Sequence, residues 1–127
     1  KQRIIKFRAW DKEEKGYIVE PIAIFGDVVM VQRGGELVSV PDAIPLQYTG
    51  LLDKNGKEIY EGDIIRRFDE VNESYGHDNC EVSWNSNRCY WQIDGRKDYY
   101  GHINGSHAKE GRYEVIGNIY SNPELLK

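Results

Sequence analysis

The sequence predicts a mainly β protein: a β-rich α+β chain of bent antiparallel sheets or a small barrel, with short helical turns. Three observations carry this. Apolar residues alternate with polar ones in short runs, and turns bearing Gly or Asn separate those runs. No segment sustains the 3.6-residue period of an amphipathic helix.

The first run, Ile5 to Ala9, places Ile5, Phe7 and Ala9 on one face and Lys6 and Arg8 on the other, with Trp10 opening a turn. The charged stretch from Asp11 to Gly16 is that turn, with Gly16 suited to positive φ. A short strand follows over Tyr17 to Glu20 and stops at Pro21. Val28–Val31 and Leu37–Val40 flank Gly34-Gly35, the signature of a tight hairpin. Pro41 and Pro45 bracket a connector kept out of any central ladder, and Leu46 to Thr49 is extended. Asp53-Lys-Asn-Gly56 is a strong turn, Ile59 and Tyr60 re-enter the core, and Glu61-Gly-Asp63 turns again into a strand over Ile64 to Phe68. Asp69 to Asn79 is a polar loop. Glu81–Trp84 and Cys89–Ile93 then form a hairpin around Asn85 to Arg88, and Asp94 to Glu110 reads as a variable excursion. Tyr113–Ile116 is a late strand, Gly117-Asn118 bends the chain, and Pro123 suits the first position of a one-turn helix.

At 127 residues the chain fits a single domain, 1–127, large enough to hold a core without metal or disulfide staples. Its 12% aromatic content excludes a disordered chain. Seventeen Lys and Arg against twenty-one Asp and Glu give a net charge of −4, which disfavours binding that relies on neutralising phosphates. The local exceptions are Lys1, Arg3, Lys6 and Arg8 at the start and Arg66 and Arg67 mid-chain, more simply read as solvated strand faces. No apolar run approaches the ~18–20 residues of a membrane span, and no apolar block of the signal-peptide kind opens the sequence. Two cysteines make no disulfide framework, so the expectation is a reduced, cytoplasmic protein without a membrane partner.

Three blocks carry a resemblance: Ile5-Lys-Phe-Arg-Ala-Trp-Asp11, the stretch QYTGLLDKNGKEIYEGDI from Gln47 to Ile64, and EVIGNIYSNPEL from Glu114 to Leu125. In order and spacing they resemble the YopX family, small proteins of bacteriophages and prophages. The resemblance implies a β-rich phage protein in the cytoplasm of a bacterial host. It brings no catalytic or binding residues to carry over. Tyr17–Ile44 and Asp69–Arg112 lie outside the specific blocks.

The sharpest candidate for chemistry is His77-x-x-Cys80 with Cys89, His102 and His107, residue types that zinc accepts in a tetrahedron. The cysteines are not a paired knuckle, however, and Cys89 falls in an expected strand, where Cys behaves as a small buried hydrophobe. The set therefore reads as surface histidines and structural thiols, and no cofactor is expected. A Cys80–Cys89 disulfide across the hairpin is the other arrangement, disfavoured by cytosolic redox conditions. No catalytic-cysteine signature surrounds either thiol. Asp53, Glu58, Glu61 and Asp63 match no calcium loop or acid pair, and turn formation explains them. Gly50, Gly56 and Gly62 lack the Lys-Ser/Thr of a phosphate loop.

Trp84, Tyr90, Trp91, Tyr99 and Tyr100, near Arg88, Arg96 and Lys97, have the composition of a base-stacking surface, although core or interface filling is the commoner use. A binding surface is thus sought among Arg8, Arg66, Arg67, Arg88, Trp91, Tyr99 and Tyr100, in the stretches that the Gln47–Ile64 signature holds in place. The architecture resembles SH3-like barrels in part, which transfers no function. The expected function is a non-enzymatic binding module acting on a phage or host protein or by self-association. Nucleic-acid binding is the alternative, and a Cys/His metal site the third.

Overall fold

The computed structural model describes residues 2–68, 78–95 and 100–127. The expected class is the one observed: within these residues the chain is mostly β, with antiparallel pairings and short helical turns. Contacts divide it into two compact units, Lys1–Tyr48 and Thr49–Lys127. No helix among the described residues is long and apolar enough to cross a membrane.

In the first unit, β1 (Phe7–Asp11) pairs with β2 (Gly16–Tyr17) and with the first half of β6 (Ala43–Leu52). The expected burial of Ile5 and Phe7 is not met: they are 60% and 40% exposed, and the buried residues are Ala9, Trp10 and Asp11. Trp10 stays in the strand, opposite Tyr17 and edge-on to its ring at 5.0 Å. The turn is capped by Asp11, whose Oδ1 accepts from the Glu13 and Glu14 amides. Its left-handed residue is Lys15 at φ 56°, not Gly16.

A separate sheet orders β3 (Ile22–Phe25), β4 (Val28–Arg33) and β5 (Glu36–Ser39). Arg33 faces Glu36, so Gly34 and Gly35 form a two-residue loop, both at positive φ as such a loop requires. Strand β3 was not anticipated. Pro45, expected to keep its segment out of a ladder, lies inside β6 opposite Ala9. The carbonyl of Ala9 faces Ile18, whose amide donates to it at 2.9 Å. Backbone groups of one strand residue point the same way, so Pro45 sits where β1 needs no N–H from it.

In the second unit the last residues of β6 run beside β7 (Glu58–Tyr60). A tight corner at Glu61-Gly62, with Gly62 at φ 85°, passes the chain into β8 (Asp63–Arg67). Asp63 is buried and its Oδ2 accepts from the Tyr60 amide at 2.8 Å, the turn-capping role expected of it. β8 lies within a five-stranded sheet of order β11-β10-β9-β8-β12, formed with β9 (Asp78–Asn85), β10 (Tyr90–Gly95), β11 (Tyr100–His102) and β12 (Tyr113–Asn118). A register shift between Val115 and Gly117 marks a bulge in β12. One core unites Ile59, Ile65, Cys80, Val82, Ile93 and Tyr113 with Ala108 of α1 (Gly105–Lys109). The chain closes in the expected 3₁₀ turn at Pro123–Leu126, held by Asn79 Nδ2 donating to the Leu125 carbonyl.

Candidate functional site

The signature stretch builds a three-residue hairpin loop between β6 and β7. Gly56 N donates to Asp53 O at 3.0 Å and Asp53 N to Lys57 O at 2.7 Å, and Gly56 takes the left-handed position at φ 80°. The Asp53 carboxylate, 5% exposed, completes the loop: Oδ1 accepts from the amides of Asn55 and Lys57 at 2.8 and 2.9 Å. Its Oδ2 accepts from the amide of Val115 in β12, 62 residues away, at 2.9 Å. The turn is thereby tied to the sheet. Just before it, Gly50 adopts φ 91°, and the Thr49 hydroxyl accepts from Leu51 N and donates to Ile59 O, bridging where a ladder bond would run.

Facing this hairpin is α1, in the segment expected to be a variable excursion. Asn104 caps it, its Oδ1 accepting from the amides of Ser106 and His107, and the Asn104 amide donates to the Tyr113 hydroxyl at 3.0 Å. At the other end Gly111, at φ 75°, donates to Ala108 O while Arg112 N reaches His107 O. This pair of bonds is a Schellman closure. An Asn seven residues before a Gly was the available signal, overlooked because a helix this short shows no periodicity.

Between hairpin and helix lies a cleft of about 400 Å³. Leu51, Leu52 and Ala108 give it an apolar lining, Gly50, Gly56, Gly105 and Gly111 leave wall without side chains, and Lys54 and Lys109 stand at it. Lys54 is engaged, 3.5 Å from Glu114 and over the Phe68 ring. Among the described residues Lys109 has no ion-pair partner.

None of the binding or metal candidates described in the second unit lines this cleft. Arg8, in the first unit, lies over the Tyr17 ring at 4.0 Å. Arg66 and Arg67 face Glu114 and Tyr113 across β8 and β12. Arg88 is exposed in the β9–β10 loop. Trp91 sits opposite Trp84, the rings 5.0 Å apart and edge-on, with Trp84 44% exposed. Tyr99 and His77 lie outside the described residues, and Tyr100 is described at its backbone alone, in β11.

Cys89 is not a buried strand residue: it is exposed, in the left-handed region at φ 59°. Asn85 holds its loop, accepting from the amides of Asn87 and Arg88 at Oδ1 and from Cys89 N at its carbonyl. Cys80 faces Gly95 at the far end of the hairpin, about 17 Å of strand from Asn85. That separation excludes the cross-hairpin disulfide, and both thiols are free. Burial, ahead of the nearby Asp78, pushes the Cys80 thiol up to about 12, so it stays protonated at neutral pH. His102 packs edge-on against Tyr90 and His107 against Tyr113. Among the described residues no three His, Cys, Asp or Glu side chains gather as a metal would require.

One acidic pair is held against its preference. Glu81 lies opposite Asp94 in the β9–β10 ladder, and burial together with the Asp94 charge raises its pKa. Tyr120 is also raised, by burial first and then by Glu61 and Glu81. A carboxyl group raised on folding binds its proton more tightly in the native than in the unfolded state. Stability therefore falls as pH rises from the ordinary Glu range through the raised value. Glu81→Gln is expected to stabilise the protein at neutral pH, with the gain vanishing below the ordinary Glu pKa. Urea unfolding at a series of pH values measures this, and a gain independent of pH contradicts the assignment.

A family model described as "YopX protein" matches residues 26–127. The chain belongs to the YopX family. Two solved structures resemble it over nearly their whole length. One is the crystal structure of protein EF1440 from Enterococcus faecalis, 28% identical, with a TM-score of 0.67 over 99% of this chain and 100% of that one. The other is the X-ray structure of protein yopX from Bacillus subtilis, 27% identical, with a TM-score of 0.66 over 95% and 97%. No curated protein matches the chain. The YopX match covers the Asp53 hairpin, α1 and β12, and so every residue of the cleft.

Proposed function

We propose that this YopX-family member is a phage-borne accessory protein of the host cytoplasm, a non-enzymatic binding module acting through protein contacts, foremost with a second copy of itself. The observation that carries this is the open edge of the β3–β5 sheet. All four residues of β5 are exposed and, among the described residues, the strand pairs only with β4, which leaves its outer backbone groups to another strand. Register places Phe25, Val28 and Leu37 on one face of that sheet, and they are 61%, 40% and 54% exposed. An apolar face beside an unpaired edge is the composition of an association surface. The protonated Cys80 thiol and the turn-capping carboxylates of Asp53 and Asp63 favour a binding role over a catalytic one.

Light scattering coupled to size-exclusion chromatography tests this. The wild-type protein is expected to run as a dimer or larger, and Leu37→Glu, which sets a charge on the exposed face, as a monomer. A wild-type protein that is strictly monomeric at every accessible concentration contradicts self-association. Exposed Trp84, edge-on to half-buried Trp91 in the hairpin whose loop carries exposed Arg88, favours a second reading, stacking on single-stranded nucleic acid. It requires salt-sensitive quenching of tryptophan fluorescence by an oligonucleotide, lost in Trp84→Ala.

A further inference from the structure

We propose that the cleft between the Asp53 hairpin and α1 is a binding site for a small amphiphilic anion, a compact apolar body carrying one anionic group. This goes beyond protein contacts and rests on separate residues. Its volume, about 400 Å³, lies within the range of small-molecule pockets. Its lining supplies apolar surface at Leu51, Leu52 and Ala108. The chemistry at its rim is cationic: Lys109 is exposed and, among the described residues, without an ion-pair partner. The Asp53 carboxylate does not compete for it as an open acceptor, because both its oxygens already take backbone N–H groups.

Gly105 points to the same cleft. Gly50, Gly56 and Gly111 hold left-handed backbone, so the chain's path explains them. Gly105 does not: it opens α1 with φ outside that region, and among the described residues an added Cβ would meet only Leu51 Cδ2, at an ordinary 3.7 Å. Glycine in a helix is less stable than alanine. Neither backbone nor packing calls for glycine here, and the space its missing side chain leaves belongs to the cleft. A position where a fold forgoes available stability is the pattern expected of a site.

The test is an NMR titration of the uniformly ¹⁵N-labelled full chain with hexanoate, and with hexanol as its uncharged counterpart. Hexanoate is expected to shift the amides of Gly50, Gly56, Gly105 and Gly111 saturably, in the millimolar range proper to so small a ligand. Hexanol is expected to bind at least several-fold more weakly. Gly105→Leu, whose side chain enters the cleft, should weaken hexanoate binding about tenfold or more while leaving the remaining amide spectrum in place. Lys109→Gln, which removes the charge of an exposed side chain without placing a carboxylate at the end of α1, should weaken hexanoate but not hexanol. The proposal is overturned by shifts elsewhere on the protein, by no saturable shift, or by equal binding of the two probes. It is also overturned if hexanoate binds Lys109→Gln as it binds wild type.

Discussion

Asp53→Ala is expected to lower stability by about 3–5 kcal/mol, among the larger effects a single substitution produces. The carboxylate is 5% exposed and takes three backbone N–H groups, those of Asn55, Lys57 and Val115. Hydrogen bonds to a charged acceptor contribute about 1.5–3 kcal/mol each, and they are not additive within one cluster. Alanine would leave all three donors without this acceptor, and one of them lies in a different strand of the second unit. Asp53→Asn keeps one carbonyl oxygen and should lose less, about 1–2 kcal/mol. Chemical denaturation separates the two. An alanine variant within experimental error of wild type would show that the loop is held by its glycine alone.

Tyr113→Ala is expected to destabilise by about 3–5 kcal/mol, and Tyr113→Phe by only about 1 kcal/mol. The residue is 1% exposed and belongs to the same core as Ile59, Ile65, Cys80, Val82 and Ile93. Its ring accounts for most of the difference, since removing it leaves a cavity that a β-sheet core closes poorly. The hydroxyl has a smaller, local role, accepting from the Asn104 amide at the start of α1. The phenylalanine variant should therefore loosen the helix, visible as faster amide exchange at Asn104, without weakening the sheet. Equal losses for the two variants would assign the stabilisation to the hydroxyl instead.

Local turn chemistry was legible in the sequence. Gly34-Gly35, Asp53 to Gly56, Gly62-Asp63 and Pro123 each stand where their residue types required. Patterns that depend on a neighbour were not. Ile22–Phe25 is a continuous apolar run too short to declare itself, and only pairing with β4 makes it a strand. Pro45 is excluded from a ladder only if its N–H is needed, a matter of register that local sequence does not hold. Cys89 was placed by its apolar character, whereas the Asn85 loop takes it into a left-handed turn. The cleft had the least visible signal. One wall comes from the signature hairpin and the other from a helix announced only by its two caps, and the bond from Asp53 to Val115 spans 62 residues.

The Gln47–Ile64 signature holds its hairpin on β12 through that long bond and through the Lys54 amide, which donates to the Tyr113 carbonyl at 2.8 Å. Amide hydrogen exchange in Asp53→Asn measures this most directly. The one remaining oxygen stays with the two loop donors, Asn55 and Lys57, so protection of the Val115 amide is expected to fall relative to its neighbours in β12 and β8, while the rest of the sheet exchanges as in wild type. Unchanged protection at Val115 would contradict it.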